Sequence, residues 1–178
     1  MAEIKSTSSE QTIVQAATVI VFRQQDQGVA EILMVQRAKD LSFAGAASVF
    51  PGGKVHESDI LLAKEVPALP SNEAAARIAG IREVLEEAGL VIGVKERVTA
   101  DDAGAARAML AAREDMRPVL DRFGWTLDLD TIVPFAHWLP SFKPGRIFDT
   151  RFYLTDLGSG RVDLSPDLGE STRLFWAS

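Results

Sequence analysis

One helical stretch constrains this chain more than any other. From Ser71 or Asn72, either of them a fair N-cap, the residues Ala74, Ile78, Ile81, Leu85 and Ala88 recur at helical spacing on one face, and Gly89 stops the run. Its last turns read REVLEEAGL, Arg82 to Leu90, with glutamate at 83, 86 and 87. Positions i, i+3 and i+4 share a helix face, so the three carboxylates project side by side while Ile81, Val84 and Leu85 face a core. Such like charges oppose each other by roughly a few tenths of a kcal/mol per pair, and near a helix C-terminus they also oppose the macrodipole. A bound cation reverses that sign. Carboxylate oxygens without soft ligands suit hard ions, and magnesium fills its remaining positions with water and phosphate oxygens. That chemistry points to phosphoryl or diphosphate substrates; the plain alternative is a solvated acidic helix face.

Upstream, FPGGK supplies paired glycines at 52 and 53, where a tight turn or a close backbone approach to a ligand is the reason to expect them. The segment from Ala38 to Lys54 reads as a loop, with Pro51 ending any regular ladder. Before it, Ile13 to Phe22 and Val29 to Gln36 read as two strands joined by a turn ending at Gly28. Asp59 to Ser71, apolar but broken by Pro67 and Pro70, reads as a short inserted helix or loop. A second helical stretch spans Asp101 to Arg122, with Ala106, Met109, Leu110 and Arg113 in period, and ends before Gly124. Strands are expected at Ile132 to Leu139, Ile147 to Leu154 and Arg173 to Trp176. Strands on both sides of helices make the chain α/β with a mixed sheet.

At 178 residues with 47% apolar composition, one domain with a full core is expected, at 13–178 after a loose tail at 1–12. The net charge of −6 gives no basic field for nonspecific nucleic-acid binding. Cysteine is absent, which removes disulfides, thiolate nucleophiles and Cys-ligated zinc together. Ala16 to Phe22 is too short to be a signal core or a membrane span, so a soluble, cytoplasmic protein without membrane contact is expected. His56 and His137 are too far apart to make a spaced metal pair and read as structural histidines. No Gly-x-Ser-x-Gly elbow is present. Gly53-Lys54 fails as a P-loop end, because Ser48 holds the first glycine position and Val55 the Ser/Thr position.

Arg82 to Leu90 and the Gly52-Gly53 pair together resemble the box of the Nudix hydrolase family. The right half matches in full. Between Gly53 and Arg82 lie 28 residues, against 13 in the family's box, so the chain carries an insertion of about 15 residues, placed at about 57–72. Counting for the family's isolated first glutamate lands on Ala74, beside Glu73, from the right and on Asp59 from the left, and the role is assigned to neither. MVQRA, SVFPGGK and HWLPSFKPGRIFDTRFYL are similar to a long-insert branch that includes coenzyme A diphosphatases. The resemblance implies a Nudix α/β/α sandwich; the family usually adds a helix after its last strand, and as this sequence stops at FWAS, either the sequence is shortened or that helix is missing.

It further implies a diphosphatase acting on a nucleoside diphosphate linked to another moiety, with coenzyme A or acyl-coenzyme A the favoured substrate. Glu83, Glu86 and Glu87, with a backbone carbonyl at Gly52 or Gly53, would hold Mg2+ or Mn2+, and Arg82 would anchor the glutamates. Glu170 is a candidate additional ligand or base. Arg37, Arg146 and Arg151 are candidate phosphate contacts, and Phe50 and Phe148 candidate base-stacking rings. A small nucleotide substrate and a homodimer are the implied partners. Two other classes stay open at this point: a Nudix-fold binding or regulatory module without turnover, and an acidic-surfaced interaction domain.

Overall fold

The computed structural model describes residues 12–24, 28–37, 47–140, 145–159 and 171–178. Its longest contacts run along β1 (Thr12–Gln24), a strand whose Ala17, Val19 and Val21 are fully buried at alternate positions. β1 pairs antiparallel with β2 (Ala30–Arg37) and with the short β4 (Gly52–Lys54), and parallel with β6 (Arg146–Ser159). β3 (Ser48–Val49) and β7 (Ser171–Ala177) add to β2, and β5 (Val133–Trp138) adds to β6. The expected α/β class with a mixed sheet is therefore what the chain adopts.

Pro51 does not end the ladder as the sequence suggested. Val19 N–H bonds to the Pro51 carbonyl at 2.9 Å, and Gly52 and Gly53 then lie opposite Thr18 and Ala17. Gly52 permits this because a Cβ there would collide with the backbone of β1. β6 is likewise longer than expected. Its polar end, Thr155 to Ser159, follows β1 past a bulge at Phe22/Gln24, so ladder bonds override a sequence with little strand character.

α1 (Glu57–Ala63) is the inserted helix, and α2 (Ser71–Ala88) carries the acidic turn. Pro70, rather than Ser71 or Asn72, is the N-cap; Ser71 is already helical and the Asn72 side chain accepts only from Glu73 N–H. All five face residues named from spacing are buried, and Gly89 ends the helix at φ 70°. The expected helix from Asp101 to Arg122 is two: α3 (Ala100–Ala111) and α4 (Met116–Phe123). Between them Glu114 turns to φ 51° and Asp115 caps α4 by accepting from Arg117 N–H. Pro118, costly in a helix interior, thereby sits in the first turn of α4. The four helices pack on one another, with α2 lying against β1 and β4.

Candidate active site

β4 and the end of α2 face each other across a cavity of about 610 Å³, within the range of small-molecule sites. Gly52, Gly53, Arg82, Glu83, Glu86 and Glu87 all line it. The fully buried Arg82 organises the group. Its guanidinium donates to Asp59 at 3.2 Å, to the Lys54 carbonyl at 2.7 Å, to Glu83 at 2.8 Å and to Glu86 at 3.4 Å. One side chain thus ties the inserted helix, the end of β4 and two of the three acids into a single body.

Asp59 is as buried as Arg82, with 1% exposure, and also accepts from the His56 N–H at 2.9 Å. Of the two residues reached by counting along the box, the structure seats this one against the arginine. Glu73, the neighbour of the other, pairs with Arg77 instead.

Glu87 accepts from the Gly52 N–H at 3.1 Å, so the glycine pair and the acidic turn are joined directly. Gly53 lies against Glu83, and a Cβ built there collides with the Glu83 carboxylate. Burial pushes the Glu83 carboxyl up to about 7, with Arg82 pulling it down and Glu86 raising it further. Arg107 of α3 donates to the carbonyls of Glu86 at 2.6 Å and Glu87 at 3.1 Å. It supplies the cation that a helix C-terminus crowded with glutamates lacks. Neither Arg107 nor Asp59 was singled out for a role from the sequence. Asp59 was at least visible as the left-hand count, whereas nothing local marks Arg107.

The other candidates divide. Arg146 and Phe148 line the cavity together with Thr150, Ala16 and Thr18. Arg151 falls on the opposite face of β6, donating to the Asn72 carbonyl at 2.8 Å and lying 3.8 Å from Glu73, away from the acids. Phe50 is half-buried and does not line the cavity. The Arg37 side chain and Glu170 lie outside the described residues. His56, read as structural from the sequence, lines the cavity, as does Glu114; His137 pairs with Asp149 at the sheet edge.

Among the described residues no three His, Cys, Asp or Glu side chains are grouped closely enough to hold a metal ion as they stand. The donor chemistry nevertheless fits one. Three carboxylates and the backbone of a glycine pair give hard oxygen donors, and the absent Cβ of Gly53 lets the Glu83 carboxylate lie directly against that backbone. Gly53→Ala is therefore expected to displace the Glu83 carboxylate, costing about 1–3 kcal/mol of stability by overpacking. A thermal melt together with calorimetric titration of Mn2+ checks this, with weakened Mn2+ binding in the variant as the expected result.

No family model matches the chain. It is 25% identical over 203 residues to the acyl-coenzyme A diphosphatase NUDT19 of Gallus gallus, over 83% of this chain and 54% of that protein. The chain thus spans about half the length of this curated relative. Among solved structures, a NUDIX hydrolase from Alicyclobacillus acidocaldarius superposes with a TM-score of 0.76 at 26% identity, over 93% of this chain and 79% of that one. A MutT/nudix family protein from Enterococcus faecalis shares the fold at a TM-score of 0.53 and 14% identity, over 93% and 43% of the two chains. Fold, box and relatives agree in their likeness to the Nudix hydrolases. The curated relative among them is an acyl-coenzyme A diphosphatase.

Proposed function

We propose that this chain is a metal-dependent hydrolase of a nucleoside diphosphate linked to another moiety, with coenzyme A or acyl-coenzyme A as the favoured substrate. The observation that carries the reading is that Glu83, Glu86 and Glu87 line one cavity, the first two held by a buried arginine and the third by the Gly52 N–H. A surface acidic patch requires no such anchoring. The choice of coenzyme A is supported by the chicken relative's name and by the branch motifs.

Glu83, Glu86 and Glu87 would hold Mg2+ or Mn2+, which neutralises a diphosphate and stabilises charge on the transferring phosphorus. The chain's own groups do the rest. Arg82 holds Glu83 and Glu86 against their mutual repulsion, Gly52 N–H fixes Glu87, and Arg107 steadies the turn that presents the last two acids. Arg146, exposed on the cavity wall, offers a fork for a phosphate, and Phe148 beside it offers a ring face for the base. No protein nucleophile is required.

A mass-spectrometric product screen tests the reading. Coenzyme A, acyl-coenzyme A, NADH, ADP-ribose and deoxynucleoside triphosphates are incubated with Mg2+ or Mn2+, with Glu86→Gln protein alongside. The expected result is adenosine 3′,5′-bisphosphate and a phosphopantetheine product from coenzyme A, dependent on metal and lost in the variant. Metal-dependent products from another substrate alone would keep the hydrolase and replace coenzyme A. A folded protein that turns over nothing, yet gains thermal stability from one of these nucleotides, would instead be a binding module.

A further inference from the structure

The cavity runs along β1, and the strand registers on either side of β1 put its lining in order. On one side Gly52 lies opposite Thr18, Gly53 opposite Ala17 and Lys54 opposite Ala16. On the other, Thr150 lies opposite Ala16, Phe148 opposite Val14 and Arg146 opposite Thr12. Lys54, Thr150, Phe148 and Arg146 all line the cavity, as the two-residue period of a strand requires of one face.

The acids sit at one end of this row. Glu87 accepts from the Gly52 N–H and the Glu83 carboxylate lies against Gly53, opposite Thr18 and Ala17. Arg146 sits at the other end, five to six residues back along β1. At about 3.3 Å per residue, roughly 17–20 Å of strand separates the two ends. An extended arginine side chain spans only part of that gap. The two phosphates of a diphosphate share one bridging oxygen, so a diphosphate held at the acids leaves Arg146 to bind something else. Its guanidinium is uncommitted: it makes no hydrogen bond or ion pair among the described residues, whereas Arg82, the cavity's other arginine, donates from all three of its nitrogens. An exposed fork of donors set beside an aromatic ring suits a phosphate monoester next to a base.

We propose that Arg146 is a specificity-determining residue: it binds a phosphate monoester on the substrate's ribose, separate from the diphosphate that is cleaved. This rests on the diphosphatase reading above and narrows it. With the diphosphate at Glu83, Glu86 and Glu87 and the base on Phe148, the ribose lies between them, and a phosphate carried by that ribose comes within reach of Arg146. Lys54, whose side chain is likewise without a partner among the described residues, stands at the acid end and serves the diphosphate itself. Coenzyme A carries a ribose phosphate at the 3′ position and NADPH carries one at 2′; dephospho-coenzyme A, NADH and ADP-ribose carry none.

The test compares substrates that differ only in that phosphate, coenzyme A against dephospho-coenzyme A and NADPH against NADH, for wild type, Arg146→Ala and Arg146→Lys. Wild-type kcat/KM is expected to favour coenzyme A over its dephospho form by about 10- to 100-fold, chiefly through KM, the size of one hydrogen-bonded contact between charged groups. Arg146→Ala should bring that ratio close to one, and Arg146→Lys should retain part of it. A preference for NADPH over NADH instead, lost in Arg146→Ala, would keep the subsite and move its phosphate to the 2′ position. A wild type that ignores the extra phosphate in both pairs overturns the proposal. So does an Arg146→Ala enzyme that keeps the ratio while both rates fall together, because a structural role acts on both members of a pair alike. Binding gives a readout without turnover: in calorimetric titrations, adenosine 3′,5′-bisphosphate should bind wild type about 10-fold or more tighter than AMP, and Arg146→Ala should lose the difference. That selectivity with no product from any substrate would overturn the diphosphatase reading and leave the subsite standing. Turnover without selectivity would do the reverse.

Discussion

Glu86→Gln and Glu87→Gln are each expected to lower kcat by about two to three orders of magnitude while leaving the chain folded, a loss typical of removing one preorganised group that stabilises transition-state charge. The two should differ in everything else. Glu86 is about one-third exposed and reaches Arg82 only at 3.4 Å, so its charge contributes little to stability. Glu87 is 8% exposed and accepts the Gly52 N–H, a bond that a glutamine oxygen can still accept. Neither melting temperature should therefore move by more than a few degrees. Steady-state kinetics with saturating Mg2+, beside a thermal melt, checks both parts. Full activity in the two variants would remove the acidic turn from the mechanism.

Asp59→Ala should act through the fold. Arg82 is fully buried and Asp59 nearly so, and removing the carboxylate strips a buried guanidinium of three hydrogen bonds, made through Nε and Nη2, without giving it water in exchange. Breaking a buried pair in this way costs about 3–5 kcal/mol. For a domain of this size that is a fall of about 6–20 °C in melting temperature. The remaining bonds from Arg82 to Glu83 and the Lys54 carbonyl place the expectation toward the lower end. Circular dichroism melts of wild type and variant measure it directly. A shift under about 2 °C would show that the pair is solvated in solution.

What was legible beforehand follows from which signals are local. The α2 face, its glycine stop and the strands from Ile13 and Val29 are periodic patterns closed by punctuation, and they appear where periodicity put them. The break between α3 and α4 was missed because Ala111 to Glu114 are all good helix formers; Pro118 and the capping Asp115 were the available signs. β4 and the end of β6 exist because β1 runs beside them, and no property of Gly-Gly-Lys or Thr-Asp-Leu-Gly-Ser announces a strand. At the site, the three glutamates and Arg82 stood out because they occupy one short motif. Asp59, Arg107, His56 and Glu114 come from three other segments, and only the packing of α1, α3 and their turn on α2 brings them to it.

The pairing of Asp59 with Arg82 also bears on how such a chain tolerates change in length. Leu62 and Ala63 are packed into the core, whereas Lys64 to Pro70 lie mainly at the surface, with only Val66 and Leu69 half-covered. Both ends of the excursion are pinned, one by a buried carboxylate and the other by the helix that carries the acids. Lengthening a surface loop between pinned ends costs only about 0.6 kcal/mol per doubling. Insertions can therefore accumulate between Lys64 and Pro70 without moving an atom of the cavity. The conserved quantity in such a lineage would be a distance in space rather than a spacing in sequence, and a pattern written with fixed gaps would pass over a fully assembled site.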